Sequence, residues 1–322
     1  MMKTSSTLLV LFLLASQITF AQSLDKVIVT TTDPDNLYMA SDVDSNSLFY
    51  LKLVPVDKPK GVLVILPGAF ELVRMIPSQI TLHKLAVDNN LIVVFPSLNY
   101  GISNHDKEHK FLDVVFKQIS EQYNVPKDKF ILGGFSGGGM IALSYTEKAN
   151  RDKNSTYLVP KAVFGIDPPL DYAHLWNHAE RDVERNFSDV AVEEGKWIMD
   201  TYKRAFGGSP DEFKDNYVKH SIYSHSEKNG GNAQYLKNTP ILIYTEPDVI
   251  WQMENRRRDA YDMNSTDISA MINLLKLQGN EDATMITTQN KGVRQGGAKH
   301  PHSWSIMDSE ESMAWVLKQL AK

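Results

Sequence analysis

The sequence predicts an α/β protein: a mostly parallel sheet with helices on both faces. Three observations lead there. Short apolar, β-branched runs alternate along the chain with segments of helical periodicity. Two of the runs, 61–66 (GVLVIL) and 91–95 (LIVVF), are continuously apolar, as strands buried on both faces are. The chain has 322 residues, 42% hydrophobic and 23% charged, which suffices for a large core without staples.

The elements follow in order. Residues 27–32 and 48–54 read as early strands joined by a polar turn. Strands 61–66 and 91–95 are separated by a helical pattern over 80–89 and followed by another over 111–123. Strand 130–135, helix 137–148 and strand 162–166 come next, and 240–245 (PILIYT) is a further strand. A long helical region over 254–278, a strand over 284–288 and a closing helix over 309–320 complete the chain. The interval 168–239 is too long for one crossover, so a helical cap inserted into the sheet is expected there. Most of its aromatics, among them Tyr172, Trp176, Trp197, Tyr202 and Phe206, are expected to pack, and a minority to face a substrate.

The first residues read as a cleavable export signal rather than part of the fold. Lys3 supplies a positive start, 8–14 (LLVLFLL) an apolar stretch too short to span a bilayer, and Thr19-Phe20-Ala21 a small-residue end. Cleavage after Ala21 leaves 22–322 as one catalytic domain, secreted or periplasmic, with no membrane insertion afterwards. The absence of cysteine excludes a disulfide scaffold, thiolate metal sites and a catalytic thiol. A formal net charge of −5, without a long basic run, argues against nucleic acid as a partner.

The sharpest motif is Gly134-Phe135-Ser136-Gly137-Gly138, a G-x-S-x-G between a strand and a helix. Such a turn exposes a serine hydroxyl above the sheet, and the glycines are needed because strand and helix pass too close for a Cβ. The Gly137 N–H, at the helix start, faces a developing oxyanion. A second donor is expected after the third strand, in Leu66-Pro67-Gly68-Ala69-Phe70, from Ala69 or alternatively Phe70. A serine needs a histidine base and an acid, which in this order of elements follow it as acid then histidine. For the acid, Asp248 is chosen, three residues beyond the strand ending at Thr245. Glu246 competes, and Asp167 or Asp171 would serve one strand earlier. For the base, His302 in Lys299-His300-Pro301-His302-Ser303-Trp304 is preferred to His300. Three other patterns receive plain readings. Asp42-Val43-Asp44-Ser45-Asn46 is a polar turn rather than a calcium loop, since Ser47 and Leu53 replace the glycine and glutamate. His105 and His109 lack a third ligand, and Arg256-Arg257-Arg258 reads as a solvated helix face, with an anionic substrate clamp as its alternative.

With GFSGG around Ser136, ILIYTEPD ending in Asp248 and HSW at His302, the sequence resembles the α/β-hydrolase superfamily from about Gly61 onward. The last segment is similar to the Gly-His-x-Trp pattern of secreted polyhydroxybutyrate depolymerase-like, feruloyl and acetylxylan esterases. Pro67 stands where many members carry histidine, and Pro301 where they carry glycine. The resemblance implies a sheet of about eight strands, a Ser-Asp-His triad and an acyl-enzyme reaction without cofactor or metal. The expected activity is hydrolysis of a small-molecule or carbohydrate-linked carboxylic ester. A serine peptidase of the same fold is the alternative, and an inactive binding protein on this fold is a third reading.

Overall fold

The computed structural model describes residues 24–30, 38, 48–103 and 105–322. The export signal and the Asp42 to Asn46 turn lie outside the described residues. Eight strands form one sheet: β1 (Asp25–Val29), β2 (Leu48–Leu53), β3 (Gly61–Leu66), β4 (Leu91–Pro96), β5 (Phe130–Phe135), β6 (Ala162–Ile166), β7 (Ile241–Thr245) and β8 (Ala283–Thr287). Their order across the sheet is β1-β2-β4-β3-β5-β6-β7-β8. β1 pairs antiparallel with β2, and β2 antiparallel with β4; every pairing from β4 to β8 is parallel. The expected mostly parallel sheet is present.

Residue alternation explains how the sheet is covered. β3 sends Val62, Val64 and Leu66 into one apolar cluster and Leu63 and Ile65 into the other, so each of its residues is buried. The first cluster holds the inner faces of α2 (Asp106–Tyr123), α3 (Gly137–Arg151) and α8 (Asn264–Leu277); the second holds those of α1 (Leu82–Asp88) and α9 (Ser309–Ala321). No helix of the described residues is long and apolar enough to cross a membrane.

Between β6 and β7 lie α4 (Tyr172–Arg185), α5 (Asp189–Phe206) and α6 (Lys214–His220). Tyr172 stacks on Tyr202 at 5.5 Å between ring centroids, and Phe206 meets Tyr217 edge-on at 4.8 Å. These rings join the same cluster as α3, so the insertion is fastened to the sheet by aromatic packing.

The expected continuous helical region over 254–278 is two helices. α7 (Val249–Arg256) ends where Arg257 turns left-handed, with φ of 58°. A short 3-10 turn, Ala260–Asp262, follows, its entry closed by reciprocal bonds between Asp259 and Asp262, and α8 starts at Asn264. No glycine or proline marks this break in the sequence.

Candidate active site

Ser136 sits between β5 and α3 with φ of 52° and ψ of −118°, outside the regions that a non-glycine residue normally occupies. The turn survives because its neighbours have no side chains. A Cβ on Gly134 would lie 2.6 Å from the Leu66 carbonyl oxygen, and one on Gly138 2.5 Å from the same atom. The Ser136 N–H donates to the Ile166 carbonyl at 2.9 Å, which ties the elbow to the end of β6. The strain is held by the sheet, and the half-buried hydroxyl faces a cavity of about 130 Å³.

His302 lines the same cavity and lies against the Phe135 ring at 4.5 Å. Its Nδ1 is 2.7 Å from Oδ2 of Asp167. With the Nδ1 proton shared with that carboxylate, Nε2 is left as the basic nitrogen. Asp167 directly follows β6 with φ of 49°. Its N–H donates to the Tyr244 carbonyl at 2.8 Å, and its Oδ1 accepts from Thr245 Oγ1 at 2.6 Å. The Asn264 side-chain amide donates to the Asp167 carbonyl at 2.9 Å and lies 3.3 Å from Oδ2. Neighbouring β7 and the start of α8 therefore aim this carboxylate.

The acid expected from the sequence, Asp248, is elsewhere. It caps α7 by accepting from the Trp251 N–H at 3.0 Å and pairs with Lys299 Nζ at 2.6 Å. Burial opposes its charge, but Lys299 and the Trp251 amide hold its carboxyl below the ordinary value. Glu246 is also committed: its carboxylate accepts from Thr288 Oγ1 at 3.0 Å and from the amides of Lys291 at 2.9 Å and Gly292 at 3.0 Å. Asp171 caps α4 through the Ala173 and His174 amides. That the carboxylate beside His302 is Asp167 rather than the expected Asp248 has a simple cause. β6 and β7 are neighbours, each ends near an aspartate, and the chain beyond β7 spends Asp248 on starting a helix.

His300, the second choice for the base, supports the first. Its Nδ1 accepts from the His302 N–H at 3.2 Å, and burial, with Arg294 and His302 adding, lowers its pKa to about 3. His105 and His109 hydrogen-bond Tyr172 and Ser144, each at 3.0 Å, and are packing residues.

On the opposite side of the serine, the Ala69 amide lies 3.5 Å from where a Gly137 Cβ would be. The Phe70 N–H donates to the Asn99 carbonyl at 2.7 Å, whereas the Ala69 N–H has no acceptor among the described residues. Glu71, which the sequence reading did not single out, organises this loop. Its carboxylate accepts from the Gly68 N–H at 2.9 Å and from Trp304 Nε1 at 2.8 Å, and its backbone carbonyl accepts from the Asn99 side chain at 2.7 Å. Burial raises its pKa against those hydrogen bonds. One half-buried carboxylate thus joins the loop carrying Ala69 to the segment carrying His302. Nothing in the local sequence marks it, since its partner Trp304 is more than two hundred positions away.

The insertion forms the cavity's far wall. Trp197 of α5 lines it and meets Phe70 at 4.7 Å, so at least one insertion aromatic faces the site; Trp251 of α7 lines it too. The three arginines do not form the solvated face expected of them. Arg258 is buried, bonding Asp182 through Nε at 3.0 Å and Glu194 through Nη2 at 3.0 Å. Arg256 lines the cavity, and only Arg257 faces outward, over the Phe187 ring at 4.4 Å. Away from the cavity, His174, His225 and Asp267 bring potential metal-ligand atoms within 4.8 Å of one another. The contacts drawn there are hydrogen bonds, with His174 Nδ1 2.6 Å and His225 Nε2 2.8 Å from Asp267 Oδ1.

No family model matches the chain, and no curated protein matches it. Solved structures do. An S-formylglutathione hydrolase from Agrobacterium tumefaciens superposes with a TM-score of 0.53 at 10% identity, over 92% of this chain and 94% of that one. Carboxyl esterase 2 from Tuber melanosporum gives 0.52 at 14% identity, over 95% and 88%. Pyrococcus horikoshii acylaminoacyl peptidase gives 0.50 at 14% identity, over 93% of this chain but only 41% of that chain. The strand order, the elbow at Ser136 and these superpositions agree that the chain has the α/β-hydrolase fold.

Proposed function

We propose that the protein is an exported serine hydrolase that cleaves carboxylic esters through an acyl-enzyme. The observation that carries this reading is the strained elbow at Ser136, sharing one cavity with a His302 whose Nδ1 is bound to Asp167. Ser136 Oγ attacks the ester carbonyl while His302 Nε2 accepts its proton. Asp167 stabilises the imidazolium, and the Ala69 and Gly137 N–H groups receive the negative charge on the carbonyl oxygen. The C–O bond to the alcohol then breaks, and the alcohol leaves with the proton from His302. Water attacks the acyl-enzyme by the same route and releases the acid, with no cofactor in either step. Export rests on the N-terminal signal pattern, and the ester expected is small or carbohydrate-linked. A peptidase on this fold is the second reading, favoured by the superposition on acylaminoacyl peptidase.

The test is labelling with an uncharged fluorophosphonate, read by intact mass and peptide mapping. One adduct is expected, on Ser136, together with hydrolysis of short nitrophenyl esters; Ser136→Ala loses both. Labelling with turnover of aminoacyl amides but not esters would favour the peptidase. Absence of labelling and turnover would favour a binding protein.

A further inference from the structure

The cavity beside Ser136 contains polar groups that the hydrolytic chemistry does not use. Nη1 of Arg256 is buried without a hydrogen-bond partner, and so is Nε2 of His300. Both side chains line the cavity that Ser136 and His302 face. Because His300 Nδ1 accepts from the His302 amide, its Nε2 carries the proton of the neutral ring. Two buried donors therefore face this cavity without a hydrogen-bond partner, beside Gln252 Oε1, a buried acceptor of the same wall that has none either. Arg294 lines the same wall, and its side chain makes no hydrogen bond among the described residues.

The carboxylates around this wall are already engaged. Arg181 and Arg185 are matched by Asp259 and Asp262. Arg258 takes Asp182 and the half-exposed Glu194, which are also the carboxylates that act on Arg256. Burial, with Arg258 adding, lowers the pKa of His178, so that ring brings no charge near neutral pH. Arg256, Arg258 and Arg294 thus share Asp182 and Glu194, while the other carboxylates of the cavity are committed elsewhere, Asp167 to His302 and Glu246 to Thr288 and the Lys291 and Gly292 amides. Burial, with Arg258 adding, lowers the pKa of Arg256 against the pull of Glu194 and Asp182, which marks the cost of holding its charge beside the cavity.

We propose that the cavity selects substrates with one carboxylate besides the scissile ester, held by Arg256 with Arg294 and His300 as further donors. A planar guanidinium with an unpartnered donor suits a carboxylate. The substrate class is then the monoesters of dicarboxylic acids, or esters of an acid-bearing alcohol. This rests on the hydrolase reading above.

The experiment compares 4-nitrophenyl monoesters of succinate, glutarate, adipate and suberate with the same compounds capped as methyl esters. An acid whose carboxylate reaches the arginines is expected to exceed its capped form in kcat/KM on the order of tenfold to a hundredfold. That ratio is expected to fall towards one in Arg256→Met, and partway in Arg294→Met. Because it compares two substrates on one protein, a general loss of activity cancels, and fluorophosphonate labelling of Ser136 shows whether each variant is assembled. Labelling with hydrolysis of the capped esters, but no acid preference at any chain length in the wild type, would overturn this proposal alone. A preference that survives Arg256→Met in full would overturn it too. Failure of the wild type to label or to cleave either series would overturn the hydrolase reading and this proposal with it.

Discussion

At the scale of single residues, the site depends on backbone groups that have little room. Gly134 and Gly138 are needed because the Leu66 carbonyl passes directly beside them, and Ser136 holds its unusual backbone angles only because the sheet clamps both sides. Glu71 does comparable work for the oxyanion loop, holding the Gly68 amide and the Trp304 ring together. Its role is to position the loop, since it touches no reacting atom. Glu71→Gln keeps the size but replaces one accepting oxygen by an NH₂ donor that faces donors, so the Ala69 amide is expected to shift. We expect kcat for a neutral nitrophenyl ester to fall on the order of tenfold to a hundredfold with little change in KM. A role confined to stability would lower the melting temperature and leave kcat alone. The arginine run shows why such residues are hard to read. A charged triplet is ordinarily solvated, and only the turn at Arg257 rotates Arg256 and Arg258 inward.

At the scale of elements, the insertion is fastened to α8 by a His174–Asp267–His225 cluster. Burial opposes charge on His174, but its hydrogen bond to Asp267 outweighs that, and the same carboxylate raises His225. Asp267 is pushed up by burial and held below its ordinary value by the two histidines. Raised histidines contribute stability that is full below their unfolded value of 6.5 and is lost as pH rises through the folded value. The lowered aspartate contributes above its unfolded 3.8 and loses this as pH falls through its folded value. The cluster is therefore strongest in mildly acid solution. The melting temperature of Asp267→Asn should lie furthest below wild type at about pH 5 to 6, and the gap should narrow towards about pH 9. A gap that widens with rising pH would contradict this account. Elements of this kind differ in how legible they are. β3 and β5 match their apolar runs residue for residue, because burial on both faces leaves no polar position to blur the ends. The split between α7 and α8 was hidden, since Arg257 adopts a left-handed turn without a glycine to announce it.

At the scale of the whole molecule, the site exists only because the sheet order brings distant segments together. The elbow follows β5, Asp167 follows β6, and His302 arrives from the chain after β8, with α7 and the insertion closing the cavity. That Ser136 and His302 meet at one cavity was readable from their placement between elements. Which carboxylate meets His302 was not, because Asp167 and Asp248 follow adjacent strands, and only the folded geometry shows that Thr245 and Asn264 aim the first while Lys299 and the α7 amide hold the second. The claim on which the account turns is that His302 is oriented by Asp167. It is tested most directly by kcat/KM of Asp167→Asn and Asp248→Asn on one neutral nitrophenyl ester, with circular dichroism and the melting temperature as the check on folding. Loss of a buried triad carboxylate costs on the order of 10⁴ in rate, and we expect a loss of about that order in Asp167→Asn with less than about tenfold in Asp248→Asn. The reverse ranking would contradict the assignment.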